Sequence, residues 1–227
     1  MTHPQPSFRR AVSVAVAAFC AAAGVSAVVP PPAAAAAGTS STVRVAASDD
    51  SYVSSARPTY GFGGSDSVVA GAKGGDRMTG FVKFTVAALP AGSTVARAEV
   101  KLSRDTSTPL PSSVSVRKVG ATSWTEAALT GRNAPSVGAE VATVKPAASA
   151  GSVSFDVTTV VAKAGTYTFG VTSSATNAIA RFQSTEKGGN GPQLILTLKT
   201  PAPTRPVTTP GTNCTVDAKL VPSCNVL

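Results

Sequence analysis

Residues 82–102 read VKFTVAALPAGSTVARAEVKL, a segment with two strand patterns joined by a turn. Apolar and polar side chains alternate on both sides of the turn, and a period of two places alternate side chains on opposite faces of a strand. The turn itself is Leu89-Pro90-Ala91-Gly92, where Pro and Gly interrupt a strand. The segment therefore predicts two antiparallel strands with one buried face. The apolar members of that face are Val82, Phe84, Val86, Ala96, Ala98, Val100 and Leu102.

The same alternation recurs along the chain, and no window of eleven or more residues follows the 3.6-residue period of a helix. At most one helical turn is expected, over residues 158–162. Gly, Pro, Ser and Asn clusters separate the strand patterns, which together predict an all-β fold, an antiparallel, jelly-roll-like β-sandwich of about nine strands. The predicted strands are 42–46, 67–70, 82–86, 96–102, 114–119, 153–157, 167–171, 178–182 and 194–198. They fall within residues 38–199, which is enough chain for one domain.

The first 37 residues have the pattern of a secretory signal peptide. Arg9 and Arg10 precede an uncharged apolar stretch, Ala11 to Val29, and small residues follow at Ala33 to Ala37. This order of basic, apolar and small residues is typical of a signal that is removed on secretion. The alternative is an uncleaved membrane anchor, but alanine is weakly apolar for a span and the prolines at 30–32 interrupt a helix. We expect the mature protein to be secreted and extracellular.

Removing residues 1–37 also changes the charged inventory. His3, the one histidine, is lost with the signal, and 18 of the 20 basic residues remain against 11 acidic ones, a net charge of +7. A chain without imidazole has no Ser-His or Cys-His catalytic pair and no His-ligated zinc. The basic excess favours an acidic partner, and secretion makes an acidic polysaccharide a better candidate than nucleic acid. Simple solubility of a secreted domain explains the charge equally well.

The chain changes composition after the last predicted strand. Residues 200–213 are rich in Pro and Thr, the composition of an extended linker, and residues 214–227 form a short tail. In an exported chain, the tail cysteines Cys214 and Cys224 are expected to form a disulfide bond.

Four short motifs carry a family resemblance: residues 49–53 (DDSYV), 123–126 (SWTE), 155–158 (FDVT) and 182–186 (FQSTE). In this order they resemble the DNRLRE domain, also grouped as the family 96 carbohydrate-binding modules, from about Val43 to Leu198. The resemblance implies a secreted β-sandwich that binds carbohydrate without catalysing a reaction. One difference from the family pattern is Gly131, which stands where an aromatic residue usually follows Thr130.

The tail carries a second resemblance. Residues 214–224 (CTVDAKLVPSC) are similar to the leading edge of catalytic domains in secreted actinobacterial glycoside hydrolases. This implies a targeting module placed before an enzyme domain that is missing from the sequence. The alternative is a tail held by its own disulfide bond.

The family pattern also contains a basic residue before an apolar strand that ends in Lys or Arg before Phe. Arg77 and the Lys83-Phe84 pair match it, and some members of the family bind alginate, a polyuronate. The alternation places Lys83 on the face opposite Val82, so we expect it to be exposed. Arg77 and Lys83 would then bind carboxylates through charge-assisted hydrogen bonds, unless they only lie on a solvated sheet face.

Aromatic side chains are the other requirement for sugar binding. Tyr60 and Phe62 occupy a glycine-rich loop that favours exposure, although Tyr60 could instead cover the edge of the core. Trp124 is the single tryptophan and fits either a binding surface or the core edge. The candidate carbohydrate-binding residues are Tyr60, Phe62, Arg77, Lys83, Trp124 and Arg132.

Catalytic and metal sites receive less support. Glu126, Asp156 and Glu186 lie in the motifs, but Asp156 and Glu126 are expected to accept backbone hydrogen bonds rather than to act on a substrate. A glycosidase needs two carboxylates around the bond, and a lyase could use Tyr60 with Lys73 or Arg77. No catalytic residue is predicted.

Calcium is a further alternative. Its candidate oxygen ligands are Asp49, Asp50 and Asp66, although no dense acidic loop marks a calcium site. No other cofactor is expected.

The sequence thus predicts a monomeric module that binds polysaccharide and contacts neither nucleic acid nor, after signal cleavage, a membrane. Two other functions stay open. One is a structural or cell-surface spacer without sugar binding, and the other is a small polysaccharide lyase or hydrolase.

Overall fold

A computed structural model of the chain describes residues 38–105 and 108–202, together with the backbone of residues 215–216 and 222–223. The contacts separate the chain into two units, 1–34 and 35–227, and every described residue belongs to the second. The predicted signal peptide, most of the predicted linker, Cys214 and Cys224 lie outside the described residues, so the statements about them stay predictions. Within the described part, no helix has the length and apolar character needed to cross a membrane.

The described chain is all-β, which confirms the predicted fold class. Eleven strands form the two main sheets, and all nine predicted strands lie among them. The strands are β1 (Thr39–Ala46), β2 (Asp49–Ser54), β3 (Ser67–Lys73), β4 (Asp76–Val86), β5 (Thr94–Ser103), β6 (Val114–Val119), β7 (Val137–Val144), β8 (Ser152–Asp156), β9 (Gly165–Thr172), β10 (Ala178–Gln183) and β11 (Gln193–Thr200). A 3₁₀ turn, Thr185–Lys187, follows β10, and the short strands β12 (Thr215–Val216) and β13 (Pro222–Ser223) pair with each other. The expected single turn after Asp156 is present, because the Val161 N–H donates to the Val157 carbonyl over 3.0 Å.

Two antiparallel sheets make the sandwich. The first has four strands in the order β1-β11-β5-β8. The second has the order β10-β3-β4-β9-β6-β7, with β2 also paired to β4. The prediction missed β2 and β7, since both contain residues that are depleted in strands, such as Asp49 and Asp50 in β2 and Gly138 in β7.

The core lies between the sheets and follows the predicted alternation. Val82, Phe84 and Val86 of β4 and Ala98, Val100 and Leu102 of β5 belong to this core and are all at most 4% exposed. Fully burying such a side chain contributes about 1.5–3 kcal/mol. The prediction was wrong for Ala96, which is exposed, because the register between β5 and β11 shifts at Thr197/Leu198 and half-buried Val95 packs against the core instead. The large core residues shared by both sheets include Phe84, Phe155, Phe169, Phe182, Leu102, Leu194 and Leu196.

A second, smaller cluster lies on the outer face of the seven-stranded sheet. Its buried members are Phe81, Val119 and Leu129, and Trp124 packs against them. Leu129 and Trp124 belong to residues 120–136, the connection between β6 and β7, which therefore covers part of this face. We call Phe81, Val119, Leu129 and Trp124 the outer-face cluster.

Candidate functional site

Lys83 lies beneath residues 120–136, the connection between β6 and β7, which we call the outer-face connection. Its side chain points away from the core, as the alternation along β4 predicts. It is nevertheless buried, with 8% of its surface exposed. Its Nζ is 2.8 Å from Asp49 Oδ2, donates to the Trp124 carbonyl over 2.5 Å, and lies 5.0 Å from the centre of the indole ring. The prediction of exposure was wrong, because residues 120–136 cover this part of the sheet.

Trp124 is half-buried and has a packing role. Its ring meets the Phe81 ring edge-on at 5.9 Å, and its Nε1 donates to Thr168 Oγ1 over 3.2 Å. It also borders an open depression of about 380 Å³ whose lining includes Leu129 and Pro135. The indole N–H is thus engaged within the protein.

Glu126 lies beside the edge of β2, a strand that pairs with β4 alone among the described strands. Its Oε2 accepts the Asp50 N–H over 3.2 Å, and its own N–H donates to Asp49 Oδ1 over 3.3 Å. Burial raises the pKa of Glu126, and the nearby negative charges of Glu186 and Asp49 act in the same direction. The expected role of Glu126 as an acceptor of backbone hydrogen bonds is confirmed.

Asp156 has the other expected acceptor role. Its Oδ1 accepts the Thr158 hydroxyl over 2.6 Å and the Thr158 N–H over 3.0 Å, a local turn in which both bonds lower the pKa of Asp156. Asp156 is exposed at the end of β8 and stabilises the turn that follows.

Three aromatic rings meet where the loop after β2 packs against that strand. Phe62 stacks on Tyr52 with ring centres 4.1 Å apart, and Tyr60 lies 4.8 Å from Phe62 in a tilted arrangement. Tyr60 is 58% exposed, so it does not fold back over the core. Exposed and partly exposed aromatic faces of this kind are the usual contacts of pyranose rings.

The loop is held in place by the outer-face connection. Gly61 forms a β-bridge with Thr130, and the Arg132 N–H donates to the Pro58 carbonyl over 3.0 Å. A Cβ at Gly131 would lie 3.0 Å from the Pro58 Cα, so the space that an aromatic side chain would need is taken by this loop. The departure at Gly131 therefore allows the two loops to pack closely.

Two arginines lie beside the aromatic rings. A cleft of about 180 Å³ is lined by Tyr52, Phe62, Arg57, Arg181 and Asp76, with Ser54 and Met78 completing it. We call this the aromatic–arginine cleft. Tyr60 lies at its rim, where it contacts the lining residue Phe62. The loop contributes Phe62 and Arg57, β2 contributes Tyr52, and β10 contributes Arg181.

The charges of the cleft are unequal. Asp76 Oδ1 accepts from Ser54 Oγ (2.8 Å), Ser55 Oγ (3.2 Å) and the Ala56 N–H (3.0 Å). Burial acts to raise the pKa of Asp76, but these hydrogen bonds lower it overall, so the carboxylate is ionised and already solvated by its own loop. Arg57 and Arg181 together exceed that single negative charge.

Tyr52 is the polar end of the aromatic group. Burial raises the pKa of its hydroxyl, while the positive charges of Arg181 and Arg57 and a hydrogen bond with Ser65 act to lower it. The hydroxyl therefore stays protonated at neutral pH, where it can donate a hydrogen bond.

The structure brings together some of the predicted residues and separates others. Tyr60 and Phe62 belong to the cleft, whereas Lys83 and Trp124 belong to the covered face of the sheet. Arg77 is exposed on β4, but it does not line the cleft, because its neighbours Asp76 and Met78 point there and adjacent strand residues point to opposite faces. Arg132 is also exposed and holds the loop through its backbone.

Tyr52, Arg57 and Arg181 were missed. Arg181 lies between the core residues Ala180 and Phe182, so the alternation predicts that its side chain points away from the core. The other residues of the cleft lie more than 100 positions before Arg181, and no periodic pattern reports such a contact.

Metal ligands do not form a ready-made group. In residues 38–105 and 108–202, no three His, Cys, Asp or Glu side chains are arranged so that they could hold a metal ion. The three calcium candidates have different surroundings, since Asp49 pairs with Lys83, Asp50 is buried and Asp66 is exposed.

A β-sandwich with an exposed aromatic cleft is a frequent form of sugar-binding module, and comparison with known families gives the same class. The model of Carbohydrate-binding module family 96 matches residues 41–198. The chain belongs to this family. Comparison with curated proteins found no match.

Proposed function

We propose that the chain is a secreted, non-catalytic module that binds an acidic polysaccharide, a polyuronate, in the aromatic–arginine cleft. The observation that carries this proposal is the presence of Arg57 and Arg181 in the same cleft as the stacked rings of Tyr52 and Phe62. Family membership supports carbohydrate binding, and the two guanidinium groups supply the preference for a carboxylate.

The chemistry of each wall suits one part of a uronate ring. An apolar ring face packs on the aromatic side chains, with Tyr60 exposed for this contact. The two guanidinium groups donate charge-assisted hydrogen bonds to the ring carboxylate, which are about twice as strong as neutral ones. The Tyr52 hydroxyl can donate to a sugar oxygen, and Asp76 can accept from a sugar hydroxyl.

The cleft contains little that could catalyse cleavage of the sugar. A glycosidase uses two carboxylates, and this cleft is lined by Asp76 alone among Asp and Glu residues in the described part of the chain. A lyase that used a tyrosine as base would need a lowered pKa, whereas burial raises that of Tyr52. These features support binding without catalysis.

The role in a larger protein follows from the sequence. The signal-like residues 1–37 support export, and the Pro/Thr-rich residues 200–213 have the composition of a linker to another domain. In this proposal the module directs an appended enzyme to its polymer, and Cys214 and Cys224 form a disulfide bond beyond the linker.

Retention of the purified chain on polymer gels tests the proposal. We expect retention on alginate or pectate, weaker retention on neutral polymers, and loss of retention as salt rises, because salt screens charge pairs. Arg57→Ala and Arg181→Ala should each reduce affinity about tenfold or more. Arg44→Ala is the matched control, since it removes the same charge from an exposed position on β1.

Two results would count against the proposal. Equal binding by Arg57→Ala, Arg181→Ala and Arg44→Ala would remove the cleft from recognition. No retention on any polymer would favour a spacer that binds no sugar, and family membership would then describe the fold alone.

A further inference from the structure

Three of the four family-like motifs meet at one place beside β2. The Thr185 N–H donates to Asp50 Oδ2 over 3.0 Å, and the Asp50 N–H donates to Glu126 Oε2 over 3.2 Å. Glu186 follows Thr185 on the 3₁₀ turn after β10, and its charge acts on both Asp50 and Glu126. We call Asp50, Glu126, Glu186 and the adjacent Ser184 the β2 acidic cluster.

The cluster carries more negative charge than its surroundings balance. Lys83 Nζ forms an ion pair with Asp49 Oδ2 at 2.8 Å. Its positive charge also acts to lower the pKa of Glu126, as the weakest of the effects on that group. Burial, followed by the charges of Glu186 and Glu126, raises the pKa of Asp50 to about 6, although two hydrogen bonds with Thr185 act to lower it. The negative charges of Glu186 and Glu126 therefore act against the ionised form of Asp50, and that of Glu186 acts against ionised Glu126 as well.

Two buried oxygens of the cluster lack a partner in the protein. Asp50 is 0% exposed, and its Oδ1 has no hydrogen bond although Oδ2 has one. Ser184 is 1% exposed, and its Oγ is also without a hydrogen bond. Together with Arg104 Nε, these are the buried side-chain polar atoms that stay unpaired in the described part of the chain.

Leaving such atoms unpaired is costly, because a buried polar group loses its hydration without replacement. The two oxygens belong to segments joined by a hydrogen bond, since Thr185, the neighbour of Ser184, donates its N–H to Asp50 Oδ2. A cation that is coordinated by both oxygens would satisfy both of them. Its positive charge would also offset the repulsion between the carboxylates.

We propose that the β2 acidic cluster binds a calcium ion, with Asp50 Oδ1 and Ser184 Oγ as buried ligands and Glu126 and Glu186 supplying further charge. All of these donors are oxygens, which hard cations prefer over the softer metals that need nitrogen or sulfur. Calcium takes six to eight oxygens in flexible geometry and accepts backbone carbonyls and water among them, so it does not require three carboxylates already arranged around it. Magnesium demands a stricter octahedron and fits this mixed set less well.

The ion would join three separate segments: β2, the outer-face connection and the turn after β10. Two of these segments also build the cleft, because Tyr52 follows Asp50 by two residues and Arg181 precedes Ser184 by three. The calcium proposal does not depend on sugar binding, and its test needs no sugar.

Thermal unfolding of the purified full chain tests the site. After removal of metal with a chelator, addition of CaCl₂ should raise Tm saturably, by about 5–10 °C when calcium exceeds its Kd a hundredfold. Isothermal titration calorimetry should give one site per chain. The same concentration of MgCl₂, which controls for ionic strength, should produce a much smaller shift.

Variants locate the effect. Asp50→Asn keeps the size of the side chain and an acceptor for Thr185 but removes the charge, so the calcium-dependent rise in Tm should disappear. Ser184→Ala should weaken calcium binding at least severalfold and serves as a second variant if Asp50→Asn does not fold. Asp156→Asn is the matched control, because Asp156 is an exposed carboxylate on β8 that also accepts backbone and hydroxyl hydrogen bonds. This variant should retain the full calcium-dependent shift in Tm.

The absence of a calcium-dependent shift in the unaltered chain would overturn the proposal. An equal shift in Asp50→Asn and Asp156→Asn would also overturn it, because the ion would then bind elsewhere.

Discussion

Lys83 is a charged residue whose surroundings determine what it can do. Its ammonium group is 2.8 Å from Asp49 Oδ2 and donates to the Trp124 carbonyl, with an aromatic ring on one side. These partners replace the hydration that burial removes, which is the condition for keeping a buried charge. The same contacts hold residues 120–136 against the sheet, so Lys83 acts on stability and does not line the aromatic–arginine cleft.

We therefore expect Lys83→Met to destabilise the fold without a specific effect on the cleft. Methionine fills similar space but removes the cation from Asp49 Oδ2 and the side-chain donor from the Trp124 carbonyl, a loss of about 3 kcal/mol. Thermal unfolding should show Tm lower by about 6–12 °C. The control Lys118→Met removes an exposed charge from β6 and should change stability by less than about 0.5 kcal/mol. Equal Tm values for the two variants would contradict this role of Lys83.

Residue patterns alone predicted part of this site. The alternation correctly places Lys83 on the outer face of β4, and the glycine-rich loop correctly indicates an exposed Tyr60. The cover over Lys83 and the meeting of Arg57 with Arg181 depend on contacts between distant segments. A period-two pattern records which face a side chain occupies but not which loop lies on that face.

At the scale of elements, Asp76 stabilises the turn between β2 and the loop that contributes Arg57 and Phe62 to the cleft. Its carboxylate accepts two side-chain hydroxyls and one backbone N–H from residues 54–56, directly before Arg57. The start of β4 thus fixes the end of β2, and Arg57 is positioned by a group that need not touch the sugar itself.

Asp76→Asn should weaken polyuronate binding and lower stability at neutral pH, since an amide accepts these hydrogen bonds less strongly. The pKa of Asp76 is lowered by those bonds below its ordinary value of 3.8, so the ionised form favours the folded state. This contribution is fully present above the unfolded pKa and is lost as pH falls through the folded pKa. Urea unfolding of both proteins should show a stability difference at pH 7 that shrinks below about pH 4. A difference independent of pH would contradict the assignment.

The strands themselves were largely predictable, and the exceptions have a physical cause. Strands with a core face, such as β4 and β11, show clear alternation because one side of each contacts the other sheet. β2 begins with two acidic residues, and the Asp50 N–H and Oδ2 are bonded by Glu126 and Thr185 rather than by a regular second neighbour. Its strand character comes from pairing with β4, which sequence propensity does not report.

At the scale of the whole molecule, the strands at the two ends of the sandwich segment, β1 and β11, pair with each other. β1 pairs with β11 over its full length, from Thr39 opposite Thr200 to Ala46 opposite Gln193. The first and last strands of the two main sheets therefore lie side by side in the four-stranded sheet. At its other edge, β11 pairs with β5. A module whose ends meet in this way can join a larger protein without interrupting its own core.

We accordingly expect residues 38–202 alone to fold and bind as the longer chain does. Every strand of both main sheets lies within this range, and the core residues are shared between the two sheets, so they should unfold as one unit. Calorimetry should give a single transition with equal calorimetric and van't Hoff enthalpies, and the affinity for polyuronate should match that of the full chain. Deleting residues 38–47 should instead prevent folding, because β11 would lose one of its two neighbouring strands and Val45, which packs against the core, would be absent. Retention of the same transition after that deletion would show that β1 is not needed to close the sandwich.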